Sequence, residues 1–569
     1  MNPKQLLAHF DRISEAPDAI PRLRRFILDL AVRGKLVEQN PDDEPASELL
    51  KRIHAEKARL AKSGKVDRAK RPSAPLEEDI PFPVPGNWCW STLAEAGILS
   101  PRNSADDRLQ TSFVPMSLIS AEYGTGNGHE IRPWGEIKGG YTHFAEGDVG
   151  LAKITPCFEN GKSTVFRGLV GGIGAGTTEL HVVRPIIICA DYVLVFLKSP
   201  HFIESGIPRM TGTAGQKRVP AEYFAYSPFP LPPFAEQHRI VAKVDELMAL
   251  CDRLEAAQAK RERRRDRLVT ASLHRLEQPG EAANLRESAR FYLSHVTRLT
   301  TRPEHIQQLR QTILNLAVRG RLVPQDPDDE PASELLKRID AEKTRPGKRA
   351  AIAEQKPASN GLNLSAVDLP AKWEPVRAGT LCTLVTSGSR GWAEFYSNTG
   401  PKFIRAQNIR FGRLLLDDLA CVNPPEKSEG TRTQVSKGDL LVVITGAGVT
   451  NPALLDQELG EAYVSQHVAL IRPMTTALSP WLLLCLMAPA GGRNQLVERA
   501  YGAGKPGLNL DNIRFLSIPL PPLAEQHRIV AKVDELMALC DRLEAQLATA
   551  QTESRRLLES VLHHALDGE

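Results

Sequence analysis

A short segment in the second half of the chain, PKFIRAQNIR (401–410), carries side chains that can recognise DNA bases. Arginine pairs bidentately with guanine, and asparagine or glutamine pairs with adenine in the major groove. The residues of these types are Arg405, Gln407, Asn408 and Arg410, and the basic Lys402 precedes them. The pattern therefore predicts that this segment contacts bases. The alternative is a β-strand in which every second side chain simply faces solvent.

Two further groups of basic and small polar residues lie in predicted loops. Residues of these types contact phosphates and base edges in protein–DNA complexes, and a neighbouring glycine lets the backbone approach a phosphate closely. The candidates are Lys153, Thr155, Asn160 and Lys162 in KITPCFENGK, together with Gln216, Lys217, Arg218 and Lys505, which follow glycines. We expect both groups to contact DNA. For KITPCFENGK, an Asn-Gly turn without any ligand explains the residues equally well.

Three motifs resemble catalytic or nucleotide-binding signatures, but each lacks a required feature. After Asn423-Pro424-Pro425, Glu426 stands where an adenine methyltransferase needs an aromatic ring to stack on a flipped base. The segment GGIGAG (171–176) lacks the glycine spacing and the strand–helix context of a dinucleotide site. In GAGKPG (502–507), Pro506 replaces the Ser or Thr of a phosphate-binding loop. We therefore predict no catalytic residue in this chain.

The bulk composition permits nucleic-acid binding without requiring it. The net charge is +4 and the pI is about 8.5, and the distribution of charge matters more than its total. The basic run at 260–267 is better explained as a solvated helix face, because its cations are not repeated later in the chain. No apolar run reaches membrane-spanning length, and the first residues lack a signal-peptide core.

The eight cysteines and the repeated histidines do not form a metal-ligand pattern. No CxxC pair occurs, and neither His238 nor His527 has a partner at ligand spacing. We therefore predict no metal site. Scattered cysteines of this kind are typical of a reduced, cytoplasmic protein.

One long unit occurs twice in the chain. Residues 6–57 recur as 292–343, and residues 235–256 recur as 524–545 with identity at all 22 positions. A helix core requires only apolar residues at the right period, so exposed positions are free to change. Because polar residues also recur while the intervening stretches have diverged, we predict a surface that binds one partner twice. Its candidate residues are Glu236, Gln237 and Arg239, and their copies Glu525, Gln526 and Arg528.

The repeated blocks have the period of helices. In 234–270, apolar residues are spaced alternately by four and three positions, which is a heptad seam, and 523–564 repeats the pattern. Gly34 and Gly320 end the other block where a left-handed helix cap belongs. The sequence therefore predicts long helices with defined ends.

Each seam is a narrow apolar stripe that needs a partner helix. We expect 234–270 to fold back on 291–320 and, by symmetry, 523–564 to pair with 6–33, which would give a pseudo-twofold axis. A helix as long as 234–270 spans roughly 55 Å at 1.5 Å per residue. Because one turn of DNA is about 34 Å, such a helix is long enough to hold two DNA-binding domains on successive turns.

Between the helical blocks lie two inserts in which short β-branched runs alternate with Gly, Pro and Asn turns, a pattern typical of a mixed α/β fold. The inserts retain a faint mutual likeness, since FAEGDVGLAKI resembles VSKGDLLVVIT and GTTELHVVRP resembles AYVSQHVALIRP. The predicted architecture is a tandem repeat with mixed α/β domains separated by antiparallel helices. Its parts are an N-terminal helical repeat (1–60), a linker (61–79), a first insert domain (80–233), a central helical spacer (234–343), a second linker (344–365), a second insert domain (366–522) and a C-terminal spacer helix (523–569).

Four motifs together carry a resemblance to a known family. PLPPFAEQHRIVAKVDELMALCDRLE and its copy resemble the helix-leading motif of the specificity subunits of Type I restriction–modification systems, and LAVRGKLV and LAVRGRLV resemble the partner helix. GDVGLAKITPCFENGKS and KFIRAQNI resemble segments of the target-recognition domains of that family. The resemblance covers nearly the whole chain in its proper order. It implies a non-catalytic subunit whose two target-recognition domains each bind one half of a bipartite, asymmetric DNA site.

The same resemblance implies the partners and the cofactors. The helices would set the spacing and dock two methyltransferase subunits, and restriction subunits would join through them. S-adenosylmethionine, ATP and Mg²⁺ would bind these partners, with no cofactor on this chain. The first insert has FVPMSLIS where the second has FIRAQNIR, so base contacts cannot be transferred between them. Two alternatives stay open: a self-contained restriction–methylation enzyme, and a coiled-coil scaffold that does not bind DNA.

Overall fold

The computed structural model forms two compact units. The first unit consists of residues 1–261 and 551–569, and the second of residues 262–550. None of the helices in the described part of the chain has the length and apolarity that a membrane span requires. The described residues are 16, 18–62, 77–213, 215–278, 282–344, 369–424, 430–500 and 507–567.

The first unit combines short helices and short strands with the beginning of one long helix. Its helices are α1 (Ala19–Val32), α2 (Ala46–Lys62), α3 (Leu93–Ala96), α4 (Trp134–Ile137), α5 (Ala190–Lys198), α6 (Pro200–Gly206), α7 (Ala221–Tyr226) and α8 (Phe234–Glu277), the last as far as Arg261. Its strands are β1 (Cys89–Ser91), β2 (Gly97–Leu99), β3 (Gln110–Val114), β4 (Glu130–Pro133), β5 (Thr142–Ala145), β6 (Val149–Ala152), β7 (Ser163–Val165), β8 (Ile173–Gly176), β9 (Leu180–Pro185) and β10 (Phe229–Leu231).

Two four-stranded sheets organise this unit, in the orders β2-β9-β6-β7 and β4-β3-β8-β5. Among the strands that the structure describes in this unit, β3 and β8 alone pair in parallel. Strand β1 pairs with β10, with Cys89 opposite Leu231, so the first and last strands of the insert meet. The adjoining core is aromatic and includes the fully buried Tyr192 and Phe196 of α5.

The second unit repeats this composition. Its helices are α9 (Ala282–Leu299), α10 (Pro303–Val318), α11 (Ala332–Thr344), α12 (Gly430–Thr433), α13 (Ser479–Met487), α14 (Asn494–Arg499), α15 (Leu510–Arg514) and α16 (Leu523–Asp567), the last as far as Ala550. Its strands are β11 (Glu374–Arg377), β12 (Cys382–Ser387), β13 (Tyr396–Ile404), β14 (Ile409–Arg410), β15 (Arg413–Leu414), β16 (Ala420–Val422), β17 (Leu440–Val443), β18 (Pro452–Leu454), β19 (Ala462–Val464), β20 (Val468–Pro473) and β21 (Ser517–Leu520).

The sheets of the second unit follow the topology of the first. The order β12-β20-β17-β18 corresponds to β2-β9-β6-β7, and the sheet β16-β13-β19 contains one parallel pair, β13–β19, as β3–β8 does in the first unit. Strand β11 pairs with β21 as β1 pairs with β10. The predicted mixed α/β class is thus confirmed in both units.

A buried ion pair explains why the two inserts retain a faint likeness in sequence. In the first unit Asp148 accepts a hydrogen bond from the backbone N–H of Ala145 and two from the Arg184 guanidinium, each 2.7–2.8 Å long. In the second unit Asp439 and Arg472 form the same pair, across strands β17 and β20. Both inserts therefore retain a Gly-Asp turn (147–148 and 438–439) and an Arg-Pro strand end (184–185 and 472–473), because the aspartate of the turn binds the arginine of the strand.

The seam of the long helix α8 is buried, as its spacing predicts. Ile240, Val244 and Cys251 are almost fully buried in the core of the first unit. Helix α1 packs beside this part of α8, where Arg24 donates to Asp252 and Glu255 at 2.8 and 2.7 Å. The copies of these residues make the same contact in the second unit, where Arg310 of α10 pairs with Asp541 and Glu544 of α16.

The C-terminal ends of the two long helices also pack on short helices, the end of α16 on α1 and the end of α8 on α10. Leu558 and Val561 of α16 pack on Ala16 and Ala19 in the first unit. In the second unit, Val269, Leu273 and Leu276 of α8 share a core with Ile306 and Ile313 of α10. Two helix pairings were predicted, 234–270 with 291–320 and 523–564 with 6–33, and they describe the C-terminal ends of the long helices only. The contacts of α8 with α1 and of α16 with α10, nearer the start of each long helix, were not predicted.

One predicted helix is wrong in its extent. The segment 291–320 is not continuous, because α9 ends at Leu299 and α10 begins at Pro303. Proline fits the first position of a helix but cannot donate the hydrogen bond required inside one. The break therefore coincides with the only proline of the segment.

The predicted helix caps at Gly34 and Gly320 are confirmed. Both glycines have a left-handed backbone, with φ of 69° and 66°. The following residues, Lys35 and Arg321, donate backbone hydrogen bonds of 3.0 Å to Leu30 and Leu316, which closes a Schellman cap.

We expect Gly34→Ala to destabilise the first unit by more than about 2 kcal/mol, because a left-handed alanine costs about 1–2 kcal/mol and its Cβ would lie 2.5 Å from Pro85. Gly86→Ala is the matched control, since a Cβ there has open space and should change stability by less than about 0.5 kcal/mol. Chemical denaturation of both variants measures the difference. Equal losses would contradict the cap.

Candidate nucleic-acid interface

In the first unit, the structure brings together two segments that are far apart in sequence. The loop that follows β6 pairs with the stretch before α7, since the Thr155 N–H donates to the Lys217 carbonyl at 2.9 Å and Ile154 bridges to Arg218. Val219 in turn donates to the Lys153 carbonyl at 2.8 Å. The two groups of candidates in this half of the chain therefore form one surface.

The side chains of this surface differ in what they can offer to DNA. Asn160, Gln216 and Lys217 are exposed, whereas Lys153 and Lys162 are half-buried. The Lys162 ammonium lies 3.4 Å from the Met116 carbonyl. The exposed residues supply amide and ammonium donors, which suit phosphates and base edges.

Arg218 is predicted to contact DNA, but its guanidinium is paired within the fold. It forms a bidentate pair with Glu179, with distances of 2.9 Å from Nε to Oε2 and 2.8 Å from Nη2 to Oε1. This hydrogen bond also lowers the pKa of the Glu179 carboxyl. Part of its charge is thus matched within the fold, and a DNA contact by the half-exposed Arg218 side chain stays a prediction. The Thr155 hydroxyl is buried and has no hydrogen-bond partner among the described residues.

In the second unit, the segment 402–410 crosses from β13 through a 3-10 turn (Ala406–Asn408) into β14. It is therefore not the uniform strand that alternating exposure would require. Lys402, Gln407 and Arg410 are exposed, and Arg410 also donates to the Gln407 carbonyl at 2.9 Å. The Lys402 ammonium lies 3.5 Å from the Cys421 sulfur, and all three side chains are accessible from solvent.

The prediction that Asn408 contacts a base is wrong for this structure. Its side chain is buried, accepts from the Arg405 N–H and donates to the Asp418 carbonyl, both at 3.0 Å. Both ends of the amide are thus used inside the turn. Arg405 is half-buried, with its guanidinium 6.0 Å from the Tyr396 ring. The remaining candidate, Lys505, lies outside the described residues.

One exposed feature beside this segment was not predicted. Strands β14 and β15 form a hairpin whose two loop residues are Phe411 and Gly412, and Phe411 is 42% exposed. The guanidinium of Arg493 lies 5.0 Å above the Phe411 ring and also donates to Thr450. Thr450 itself has a left-handed backbone (φ 74°), which is rare for a β-branched residue. An aromatic ring between cations is a common feature of nucleic-acid surfaces.

The repeated polar residues of the helix motif lie inside the fold and not on a shared surface. Glu236 is fully buried and accepts from Trp88 Nε1 at 3.0 Å and from Gln39 at 2.7 Å, while Trp373 and Gln325 bind Glu525 in the same way. Burial raises the pKa of Glu236. Sequence reasoning missed this role because both tryptophans lie about 150 residues before the helices they bind.

The prediction of partner contacts through four of these residues is therefore corrected. Gln237 accepts from the Cys189 N–H and donates to the Pro232 carbonyl, and Gln526 donates to the Pro521 carbonyl. Fully buried Glu and Gln side chains have no surface left for another subunit. The residue types recur because both glutamates bind a tryptophan and both glutamines donate to a proline carbonyl inside the fold. Arg239 and Arg528 pair with Asp43 and Asp329 and remain partly exposed, so docking through them stays a prediction.

The structure thus combines a duplicated mixed α/β fold with exposed cationic and amide side chains, which are the types that contact phosphates and base edges. Residues 370–550 match a family described as Type I restriction modification DNA specificity domain. The chain is 38% identical over 556 residues to the specificity subunit of the Type I restriction enzyme EcoAI from Escherichia coli, which covers 96% of this chain and 94% of that protein. It is 39% identical over 568 residues, with the same coverage, to the specificity subunit of EcoEI from Escherichia coli.

The chain therefore belongs to the specificity subunits of Type I restriction enzymes. Two solved structures are similar over most of its length. A chain from a type I R-M system has 19% identity and a TM-score of 0.48, and covers 85% of this chain and 99% of its own. The HsdS subunit from Thermoanaerobacter tengcongensis has 20% identity and a TM-score of 0.43, and covers 86% and 98%.

Proposed function

We propose that this specificity subunit binds a bipartite, asymmetric DNA site, with one half bound by each of two target-recognition domains, residues 80–233 and 366–522. The observation that carries the proposal is a contrast between the units. Their sheets have the same topology and their buried contacts recur, whereas their exposed candidates differ. Two domains of one fold with unlike surfaces are suited to two different DNA sequences. Base contacts would supply the specificity, and phosphate contacts would fix the position on the duplex.

The helical parts have a separate proposed role. Residues 1–60, 234–343 and 523–569 would form the antiparallel spacer that sets the distance between the half-sites. Their exposed faces would dock two methyltransferase subunits, through which restriction subunits join. The linkers at 61–79 and 344–365 fall mainly outside the described residues, and their role stays a prediction.

Catalysis would belong to the partners. The described residues contain no group of three or more His, Cys, Asp or Glu side chains placed to hold a metal ion. S-adenosylmethionine, ATP and Mg²⁺ would be bound by the methyltransferase and restriction subunits. Methyl transfer to DNA by the purified chain alone would contradict this assignment and favour a self-contained enzyme.

The proposed function is tested by expressing the chain with its methyltransferase and mapping DNA methylation at single-base resolution. We expect one bipartite motif with an N6-methylated adenine in each half. A stable complex that methylates no motif and shows no salt-sensitive DNA affinity would contradict the proposal and favour a scaffold. Salt sensitivity is informative because phosphate contacts release counterions.

Two neighbouring residues should behave differently when each is changed to alanine. Arg410→Ala removes an exposed guanidinium, so we expect a loss of about 1–3 kcal/mol in discrimination of the second half-site with unchanged stability. Asn408→Ala removes a buried amide that joins two backbone segments, so stability should fall by about 1–3 kcal/mol. Binding assays and thermal denaturation of both variants separate these effects. A stability loss in Arg410→Ala without a change in discrimination would exclude a base contact.

A further inference from the structure

Lys198, at the end of α5, is a lysine buried inside the first unit. Only 6% of it is exposed. Its ammonium donates to three backbone carbonyls, those of Gly161 and Ala121 at 3.0 Å and that of Ser120 at 3.3 Å. An ammonium has three donors, so these carbonyls use all of them. A buried charge that binds only backbone oxygens is positioned to hold segments of chain together.

The carbonyls belong to two segments next to the proposed DNA surface. Gly161 lies between Asn160 and Lys162 in the loop that follows β6. Ser120 and Ala121 follow β3 and its 3-10 turn (Met116–Leu118), which is the place that the β14–β15 hairpin takes after β13 in the second unit. Lys198 therefore joins two segments of the first unit. One contains the exposed candidate Asn160, and the other takes the place of the hairpin that carries Arg410 in the second unit.

The second unit has methionine at the corresponding position. Helix α13 ends at Met487, which follows Lys198 by 289 residues, the offset of the repeated motif. The alignment is supported by Tyr192 and Trp481, which donate to the carbonyls of Pro230 and Pro519 at 2.8 and 2.9 Å.

Met487 also packs on the equivalent segment. A Cβ placed on Gly412 of the β14–β15 hairpin would lie 2.7 Å from the Met487 Cε. The last residue of α5 in the first unit, and of α13 in the second, thus supports the segment that follows the 3-10 turn. In the first unit the support is an ammonium with three hydrogen bonds, and in the second it is an apolar contact.

We propose that Lys198 is a positioning residue for the first half-site, because its ammonium holds the 119–122 segment and the 157–162 loop in the arrangement that contacts DNA. The inference rests on the proposed function and deepens it. It makes recognition by the first domain dependent on a buried charge, a dependence that the second domain does not share.

The pKa of the Lys198 ammonium lies near neutral pH. Burial lowers the pKa of Lys198 to about 7, and Glu122 acts in the opposite direction. The other titratable groups on or next to the two held segments are Tyr123, Cys157, Glu159 and Lys162. Because the folded pKa lies below that of an unfolded lysine, the folded chain releases the Lys198 proton near pH 7 while the unfolded chain retains it, so the stability of the first unit rises with pH above this value. The neutral amine has two N–H donors and the ammonium has three, so one of the three carbonyls should lose its hydrogen bond as the pH rises through this value.

Lys198→Met gives the first domain the residue that the second already has, so it tests the role with a side chain that this fold accepts. The complex with the methyltransferase is titrated with duplexes in which one or the other half-site is replaced. We expect discrimination of the first half-site to fall by about tenfold or more, while discrimination of the second stays unchanged as an internal control. Equal losses at both half-sites, or no loss, would overturn the inference.

A pH series separates positioning from a merely structural role. Between about pH 6 and pH 8.5, discrimination of the first half-site by the natural chain should decline relative to the second. Lys198→Gln keeps N–H donors without a titrating charge, so it should remove the pH dependence even if Lys198→Met fails to fold. A pH profile identical to that of the natural chain would refute the role of the charge. Absence of any bipartite site in the methylation map would instead refute the proposed function itself.

Discussion

Replacing residues 366–520 with the matching segment of another Type I specificity subunit should change one half of the methylated motif and leave the other half intact. The segment is suited to exchange because β11 and β21 pair along its two ends, with Glu374 opposite Leu520 and Arg377 opposite Ser517. The two junctions of an exchanged segment therefore lie close together, on paired strands. The donor must keep a tryptophan at the position of Trp373, whose indole binds the buried Glu525 of α16.

The expected effect of this exchange is large. Each mismatched base pair costs about 1–3 kcal/mol, so a half-site that differs at several positions should reduce methylation of the original motif by more than about 100-fold. The reciprocal exchange of 80–231 is the matched control and should alter the opposite half. Both motifs are determined by single-base methylation mapping. Changes in both halves after either exchange would contradict independent domains.

Asp439→Ala should destabilise the second target-recognition domain by about 1–3 kcal/mol, since it removes the buried carboxylate that accepts hydrogen bonds from the half-buried Arg472 guanidinium. The carboxylate is almost fully buried and holds Arg472 through two hydrogen bonds of 2.8 and 2.6 Å. It also caps the turn before β17 by accepting from Ser436 at 2.7 Å. One substitution therefore loosens both the turn and the sheet.

Asp148→Ala is the matched variant in the first unit, where Asp148 binds Arg184 in the same way. Hydrogen exchange of each complex should show lost protection in the altered domain alone, and binding should lose discrimination of the corresponding half-site. Loss of protection in both units after a single substitution would show that the domains do not fold separately. An unchanged midpoint of unfolding would show that the pair contributes nothing to stability.

The candidate site was only partly predictable from sequence, and particular residues show why. Arg410 and Gln407 were chosen for their chemistry, and both are exposed, whereas Asn408 between them is buried as the brace of a turn. Arg218 is predicted to contact DNA, but its guanidinium is paired with Glu179, which lies 39 residues away in sequence. A residue type indicates what a side chain can bind, but a distant partner decides whether it is free to do so.

The same limit applies to the repeated motif. Its polar residues were attributed to a shared docking surface, yet Glu236 and Glu525 bind tryptophans that begin the two inserts. Identity between copies shows that a residue is constrained without showing what constrains it. Lys198 and the Phe411–Arg493 pair were not predicted for a related reason, because their partners come from separate strands and loops.

The sequence by itself determined the duplicated order of the chain, the long amphipathic helices, the glycine caps of the short helices α1 and α10, and the mixed α/β character of both inserts. Heptad spacing, left-handed glycines and strand–turn alternation are local patterns, and local patterns are sufficient for such predictions. Only the tertiary structure decided which polar residues are exposed. That choice depends on hydrogen bonds and ion pairs between segments separated by tens to hundreds of residues, and no periodicity in the sequence encodes them.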